Sequence, residues 1–287
     1  MRRLGLLSLL FFALHPGFGQ ARRFAPDTLS TNDSFGLTLT PDGREAFWVK
    51  SFGRRDSLWV MTATRSGTGW SKPQRASFSD LGKNIDPAAT PDGKRLLFNS
   101  DRPRPERPGA RDFDIWASPK TASGWGAPFL LPDVNSDSAD FYATAARNGN
   151  LYFTSNRAGG QGSLDLYVAR HRAGRYHPPQ NLGPVVNSTG GESNPFIDPD
   201  ERFLIFFSAR PGGYGDSDLY VSFRKKGTWQ APQNLGPLVN TALGEFCPSV
   251  SADGKTLYFS RIQKPMPFIE NLYQLPVKEL PFSFFGK

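Results

Sequence analysis

The chain is poor in the residues that most often carry chemistry. It has one cysteine in 287 residues, Cys247, so no internal disulfide can form and packing alone must hold the fold. Cys247 lies in the string GEFCPSVS, parallel to GESNPFID further back, which makes it a buried strand residue rather than a catalytic thiol. There are three histidines. His171 and His177 sit six apart in HRAGRYHPP with no third ligand nearby, which argues against zinc. No G-x-S-x-G elbow, no helix-opening glycine loop and no oxygen-rich cation loop occurs, so serine-hydrolase, phosphate-cradling and calcium readings lack a foundation. We expect no metal and no cofactor.

Long apolar runs are missing beyond residue 14, so no later segment can cross a membrane as a helix. Helical periodicity is missing throughout. The formal charge is +8, but the lysines and arginines are scattered without a basic block, and no nucleic-acid partner is expected.

The N-terminus has its own pattern. Arg2 and Arg3 precede an apolar run from Leu4 to Leu14, then His15, Pro16 and Gly17 break it, and small residues follow to Ala21. This reads as a signal peptide over residues 1–21, with cleavage near Gly19 to Ala21 and a single domain over 22–287. No cysteine ends the apolar run, so a bacterial lipid anchor is not expected. The protein should be exported, to remain periplasmic, attach to the outer membrane or be released.

What the chain has in abundance is itself. LYFTSNRAGGQGSLDLYV, from Leu151, returns as LIFFSARPGGYGDSDLYV from Leu204. Weaker copies begin at Ala46, Leu96 and Leu257. One aromatic series runs Trp48, Phe98, Phe153, Phe206, Phe259; a second runs Trp59, Trp116, Tyr167, Tyr220, Tyr273; a third runs Trp70, Trp125, Tyr176, Trp229, Phe282. Each unit holds a short first strand, an Asp-Gly or Asn-Gly turn, a continuous apolar second strand, a loop, a third strand, a second turn and a short fourth strand. A second strand apolar on both faces must be covered on both faces. Units of this size achieve that by repeating around an axis. The prediction is an all-β, five-bladed β-propeller of four-stranded antiparallel blades; six blades would need a degenerate unit. Ala25–Leu29 matches Ala231–Leu235, the end of a fourth strand, so the N-terminus should close the ring. The segment 281–285 is a rival for that strand.

The strings PDGKRLLFNSDR, DGKTLYFSR and LYFTSNRAGGQGSLDLY resemble the TolB-type, WD-repeat-like propeller family. The Asn-Leu-Gly-Pro-x-Val-Asn segments at Asn181 and Asn234 are similar to the version in envelope proteins of Bacteroidetes-like bacteria, often joined to a peptidoglycan-binding OmpA-like domain. This chain has no such domain, so that activity does not carry over. The resemblance implies a binding or scaffolding module.

Meander geometry puts the loops between second and third strands on one face with the connections between blades. We call this the loop face, and the opposite one, with the tight Asp-Gly turns, the hairpin face. Varied loops on a rigid scaffold favour binding. The longest, DRPRPERPGARDF, offers Arg102, Arg104, Arg107 and Arg111; Arg157 and Arg210 follow the second strand in later blades. Arg102, Arg157, Arg210 and Arg261 are each matched by an acid opening the third strand: Asp114, Asp165, Asp218 and Glu270. Repetition favours a hairpin clamp between each pair over a ring of ligand-binding arginines. Asp33, Asp86, Asp140, Glu192 and Glu245 precede or begin the first strands and are expected to ring the channel mouth. The function expected is a non-catalytic scaffold for a cell-envelope protein or glycan. The alternatives are a five-bladed glycoside hydrolase using channel-mouth carboxylates such as Asp86 and Glu192, and a small-ligand or cation sensor in the channel.

Overall fold

The computed structural model describes residues 20–284 apart from residues 105, 108, 110, 132, 265, 266 and 283. Nearly all of the expected leader lies outside the described residues. The chain forms five antiparallel sheets in a ring, a five-bladed β-propeller. The first, second and third strands are Ser34–Leu39, Glu45–Phe52 and Ser57–Ser66 in blade 1, and Asn84–Ala89, Arg95–Ser100 and Asp114–Thr121 in blade 2. In blade 3 they are Asp140–Ala145, Leu151–Ser155 and Asp165–Ala169, and in blade 4 Glu192–Ile197, Phe203–Ser208 and Asp218–Lys225. Blade 5 has Gly244–Val250, Thr256–Gln263 and Ile269–Pro276.

The apolar second strands explain the architecture. Phe47 packs toward blade 2 with Phe78, Leu96 and Phe98, while its neighbours Ala46 and Trp48 pack toward blade 5 with Phe24, Tyr258 and Leu272. Every adjacent pair of blades shares such a core, and a sixth cluster, including Phe35, Tyr142 and Cys247, lies on the axis.

The ring closes from the N-terminus. Arg22–Arg23 pairs with the third strand of blade 5, Arg22 opposite Gln274 and Arg23 opposite Tyr273. The closing residues therefore lie upstream of Ala25–Leu29. Tyr220 is paired with Asn234 in blade 4, so Arg23 and not Thr28 is the counterpart of Asn234. Phe24 then enters the seam between blades 5 and 1, edge-on to Trp70 and Tyr258. Ser30 and Asn32 bond across the same seam to Asn271. The described residues of the rival C-terminal segment, 281, 282 and 284, are in no strand; Phe282 and Phe284 pack on Phe223 and Phe203 of blade 4.

Candidate functional site

Each first strand carries a bulge, at its third residue in blades 1 to 4 and its fourth in blade 5, where the pairing register shifts. The residues there are Gly36, Asp86, Tyr142, Asn194 and Cys247, all with φ between 50° and 66°. Asp and Asn tolerate this region; Tyr and Cys do not favour it. The bulge turns these side chains inward, where non-adjacent blades meet. Cys247 Sγ lies 4.0 Å from Asp86 Oδ1 and 3.8 Å from Asn194 Oδ1. Tyr142 Oη donates to the Pro248 carbonyl at 3.4 Å. A Cβ on Gly36 would sit 3.7 Å from Cys247 Sγ. The channel is therefore plugged at mid-height. Burial holds the Cys247 thiol and the Tyr142 phenol well above their usual ranges. Burial also pushes Asp86 up to about 7, against the pull of the Arg55 charge.

Toward the loop face the plug is backed by Phe35, with Ile85, Phe141 and Phe246 partly buried around it. Toward the hairpin face the axis opens into a funnel of about 490 Å³. Its walls are the distal halves of the first strands, among them Leu37, Ala88, Ala145, Phe196 and Val250, with Tyr142 also in the lining. Wall hydroxyls are already engaged between blades. Thr144 Oγ1 donates to Pro195 O and accepts from Ile197 N, Ser249 Oγ donates to Leu37 O, and Thr38 Oγ1 accepts from Ala89 N. The rim carries the turn residues, including Arg65, Arg147 and Arg202 with Asp42, Asp200 and Asp253.

The expected clamps exist, but with other partners. Arg157 Nη2 donates to Asp140 Oδ1 at 2.6 Å, Arg210 Nη2 to Glu192 Oε1 at 3.0 Å, and Arg261 Nε to Glu245 Oε1 at 2.7 Å. These are the acids expected at the channel mouth, and they are buried at the start of the first strands. In blade 2 the partner is Asn84, whose Oδ1 accepts from Arg102 at 2.9 Å. Asn84, not Asp86, is thus the counterpart of the clamp acids. In blade 1 Lys50 meets Asp33 at 3.1 Å. Each of the four guanidiniums also covers the aromatics of the second and third strands, as Arg210 covers Phe206 and Tyr220.

The third-strand acids do different work. Asp165 accepts from the amides of Gln161 and Gly162 and from Asn181, and Asp218 accepts from Tyr214, Gly215 and Asn234. They hold the glycine-rich loops and tie them to the Asn-Leu-Gly-Pro segments. The glycines answer to crowding: a Cβ on Gly162 would lie 2.6 Å from the Ser188 carbonyl. Glu270 is paired with Arg55 of blade 1. Asp114 has Arg104 Nε 2.6 Å away, an ion pair off hydrogen-bond alignment, and burial pushes it up to about 7. Arg104 also donates to Ser136 O, and Arg107 pairs with Asp112 and Asp137. Arg102 and Arg104 are buried, and of the long loop's four arginines only Arg111 is exposed. The predicted basic contact surface is therefore an internal brace. Asn187 is buried, its amide donating to Leu166 O and Asn181 Oδ1. Among the described residues no three His, Cys, Asp or Glu side chains converge as a metal site.

The funnel was not legible in the sequence. Its walls come from short segments whose alternation is that of any inner strand.

No protein-family model and no curated protein sequence matches the chain. Solved structures do. A protein designated TolB from Agrobacterium tumefaciens aligns with a TM-score of 0.53 at 16% identity, over 83% of this chain and 76% of that one. An α-L-arabinofuranosidase from Lactobacillus brevis gives 0.55 at 12% identity, over 88% and 92%. A structure described as a glycoside hydrolase gives 0.59 at 10% identity, over 90% and 91%. At these identities the likeness defines the class, a β-propeller of the shape shared by TolB and several glycosidases, and not the activity.

Proposed function

We propose that this protein is an exported, non-catalytic propeller that binds a cell-envelope protein or glycan, with the axial funnel of the hairpin face as its binding site. The observation that carries this reading is the commitment of the repeated carboxylates. Asp140, Glu192 and Glu245 are each locked by an arginine and by Ser or Thr hydroxyls behind the plug. A glycosidase needs two carboxyls that both reach the sugar, one of them holding a proton. At the funnel rim, Asp42 and Asp253 are held below their ordinary range by hydroxyl and amide donors, so neither is a proton donor. Asp86 and Asp114 do hold protons near neutral pH, but both are buried, one on the axis and one beside Arg104. The expected leader and the TolB-type repeats support an envelope role.

The test is hydrolysis of a panel of aryl glycosides and envelope glycans by the purified chain, beside Asp86→Asn and Glu192→Gln. The reading expects no turnover by any of the three. Turnover by the native chain that either substitution abolishes would replace it with the hydrolase reading.

A further inference from the structure

The two faces differ in charge. The turns of the hairpin face span residues 40–45, 65–70, 90–95, 120–125, 146–150, 170–176, 198–202, 224–229, 251–256 and 276–279. They hold 15 lysines and arginines against 8 acids, out of 34 and 26 in the chain. Nearly all of the net positive charge therefore lies on this face, in its outer turns rather than in the funnel lining, where Asp42, Asp198, Asp200 and Asp253 accompany Arg65, Arg147 and Arg202. It is concentrated in the outer turns of blades 3 and 4, at 170–176 and 224–229, each with three cations and no acid. The blade 3 turns at 146–150 and 170–176 contain no acid, and Arg172, Arg175, Lys225 and Lys226 stand exposed with no ion-pair partner among the described residues. At the funnel rim Arg65 rests on the face of Trp70 and likewise pairs with no carboxylate among the described residues. Deep in the funnel stand Leu37, Pro87, Ala88, Phe196, Pro248 and Val250, with the hydroxyls of Thr38, Thr144 and Ser249 bonded between blades, while the turns at the rim make the lining as a whole as polar as it is apolar.

These features select a ligand class. The apolar residues at the bottom of the funnel offer a seat for one apolar side chain. A cationic surround needs an anionic partner and speeds its approach. We propose that the hairpin face docks an acidic polypeptide segment, with one apolar side chain seated in the funnel and its carboxylates over the basic turns of blades 3 and 4. This rests on the binding reading above and names its ligand.

The probe is a fluorescein-labelled peptide of alternating Asp and Glu with a central Leu-Phe pair, followed by anisotropy. Controls replace Leu-Phe by Ser-Ser, or every acid by Lys; polygalacturonate serves as an acidic-glycan competitor. The proposal expects the acidic apolar peptide to bind best and to weaken as salt rises. A folded Arg172→Glu/Arg175→Glu/Lys225→Glu/Lys226→Glu variant should lose about tenfold or more in affinity, equivalent to about 1.4 kcal/mol. Ala252→Trp, at the rim, should lose a similar factor through the funnel alone. Equal binding of the Ser-Ser or Lys peptide, or tight binding of polygalacturonate that excludes the peptide, would overturn it.

A second measurement separates this failure from failure of the binding reading. A photo-crosslinking residue is placed at position 252 on the rim or at 214 on the loop face, in native envelope. A protein adduct from 252 that the quadruple charge reversal abolishes supports the proposal. Adducts from 214 alone overturn it and leave a binding propeller. Adducts from neither, together with no captured glycan, overturn both.

Discussion

Arg210 reaches back across the second strand to Glu192 rather than forward to Asp218. Its Nη2 lies 3.0 Å from Glu192 Oε1, and Ser208 Oγ bridges the two, donating to Glu192 and accepting from Arg210 Nε. The geometry recurs at Arg157 and Asp140 with Ser155. At Arg261 and Glu245 the arginine stands two residues earlier, opposite its acid in the register, and needs no bridging serine. One local problem, a carboxylate buried where blades 3, 4 and 5 begin, is solved three times.

Asp86 makes stability depend on pH. Its carboxyl keeps the proton to about pH 7 in the native state but releases it near the ordinary value of 3.8 when unfolded. Between those values the native state binds more protons, so its stability falls as pH rises from about 4 to 7. Glu245 and Glu270, also raised by burial, act with the same sign. Asp86→Asn, a residue at ease with the φ of 54°, should flatten much of the profile and gain about 2–4 kcal/mol at pH 8. Urea titrations from pH 4 to 8 on both chains check this.

Phe24 locks the closing strand. It is buried against Trp70 and Tyr258. Phe24→Ala should cost about 3–5 kcal/mol, with little relaxation possible in a seam formed by two blades. The denaturant midpoint reports it.

Gly215 should not tolerate a side chain. An added Cβ would press on the backbone carbonyls of Leu243 and Thr241, neither of which can swing aside. Gly215→Ala should destabilise by about 1–3 kcal/mol. Gly67→Ala, with open space around its Cβ and only a φ of 57° to strain, should cost about 1 kcal/mol.

Cys247 should be silent. Its thiol is buried and held above its usual range, so little thiolate is available at neutral pH. Ellman's reagent at pH 8 should label it only at the rate of global unfolding.

The blade count, the strand order and the turns were readable because they rest on periodic aromatics and on Asp-Gly chemistry that acts locally. The clamp partners were not, because a residue just past the second strand has two neighbours. Spacing alone does not say whether Arg210 turns toward Glu192 or Asp218. A signal was present: arginine and first-strand acid occur together at 157 and 140, 210 and 192, 261 and 245, and where blade 2 has Asn84 its Arg102 is buried among neutral acceptors. Asp86 was misplaced by two residues because the bulge that carries it to the axis leaves no mark in composition. The closing strand was misaligned by five residues, since Arg22–Arg23 resembles no other fourth strand and only its pairing reveals it.

The central claim is that the recurring arginines and acids build the blades. A double-mutant cycle on Arg210→Ala and Glu192→Gln, read by urea denaturation, tests it most directly. The account predicts that each single change destabilises, Arg210→Ala by about 3 kcal/mol or more because a buried carboxylate is stranded, with a coupling of about 1–3 kcal/mol between them. Additive effects within about 0.5 kcal/mol, or an Arg210→Ala chain as stable as the native one, would contradict it.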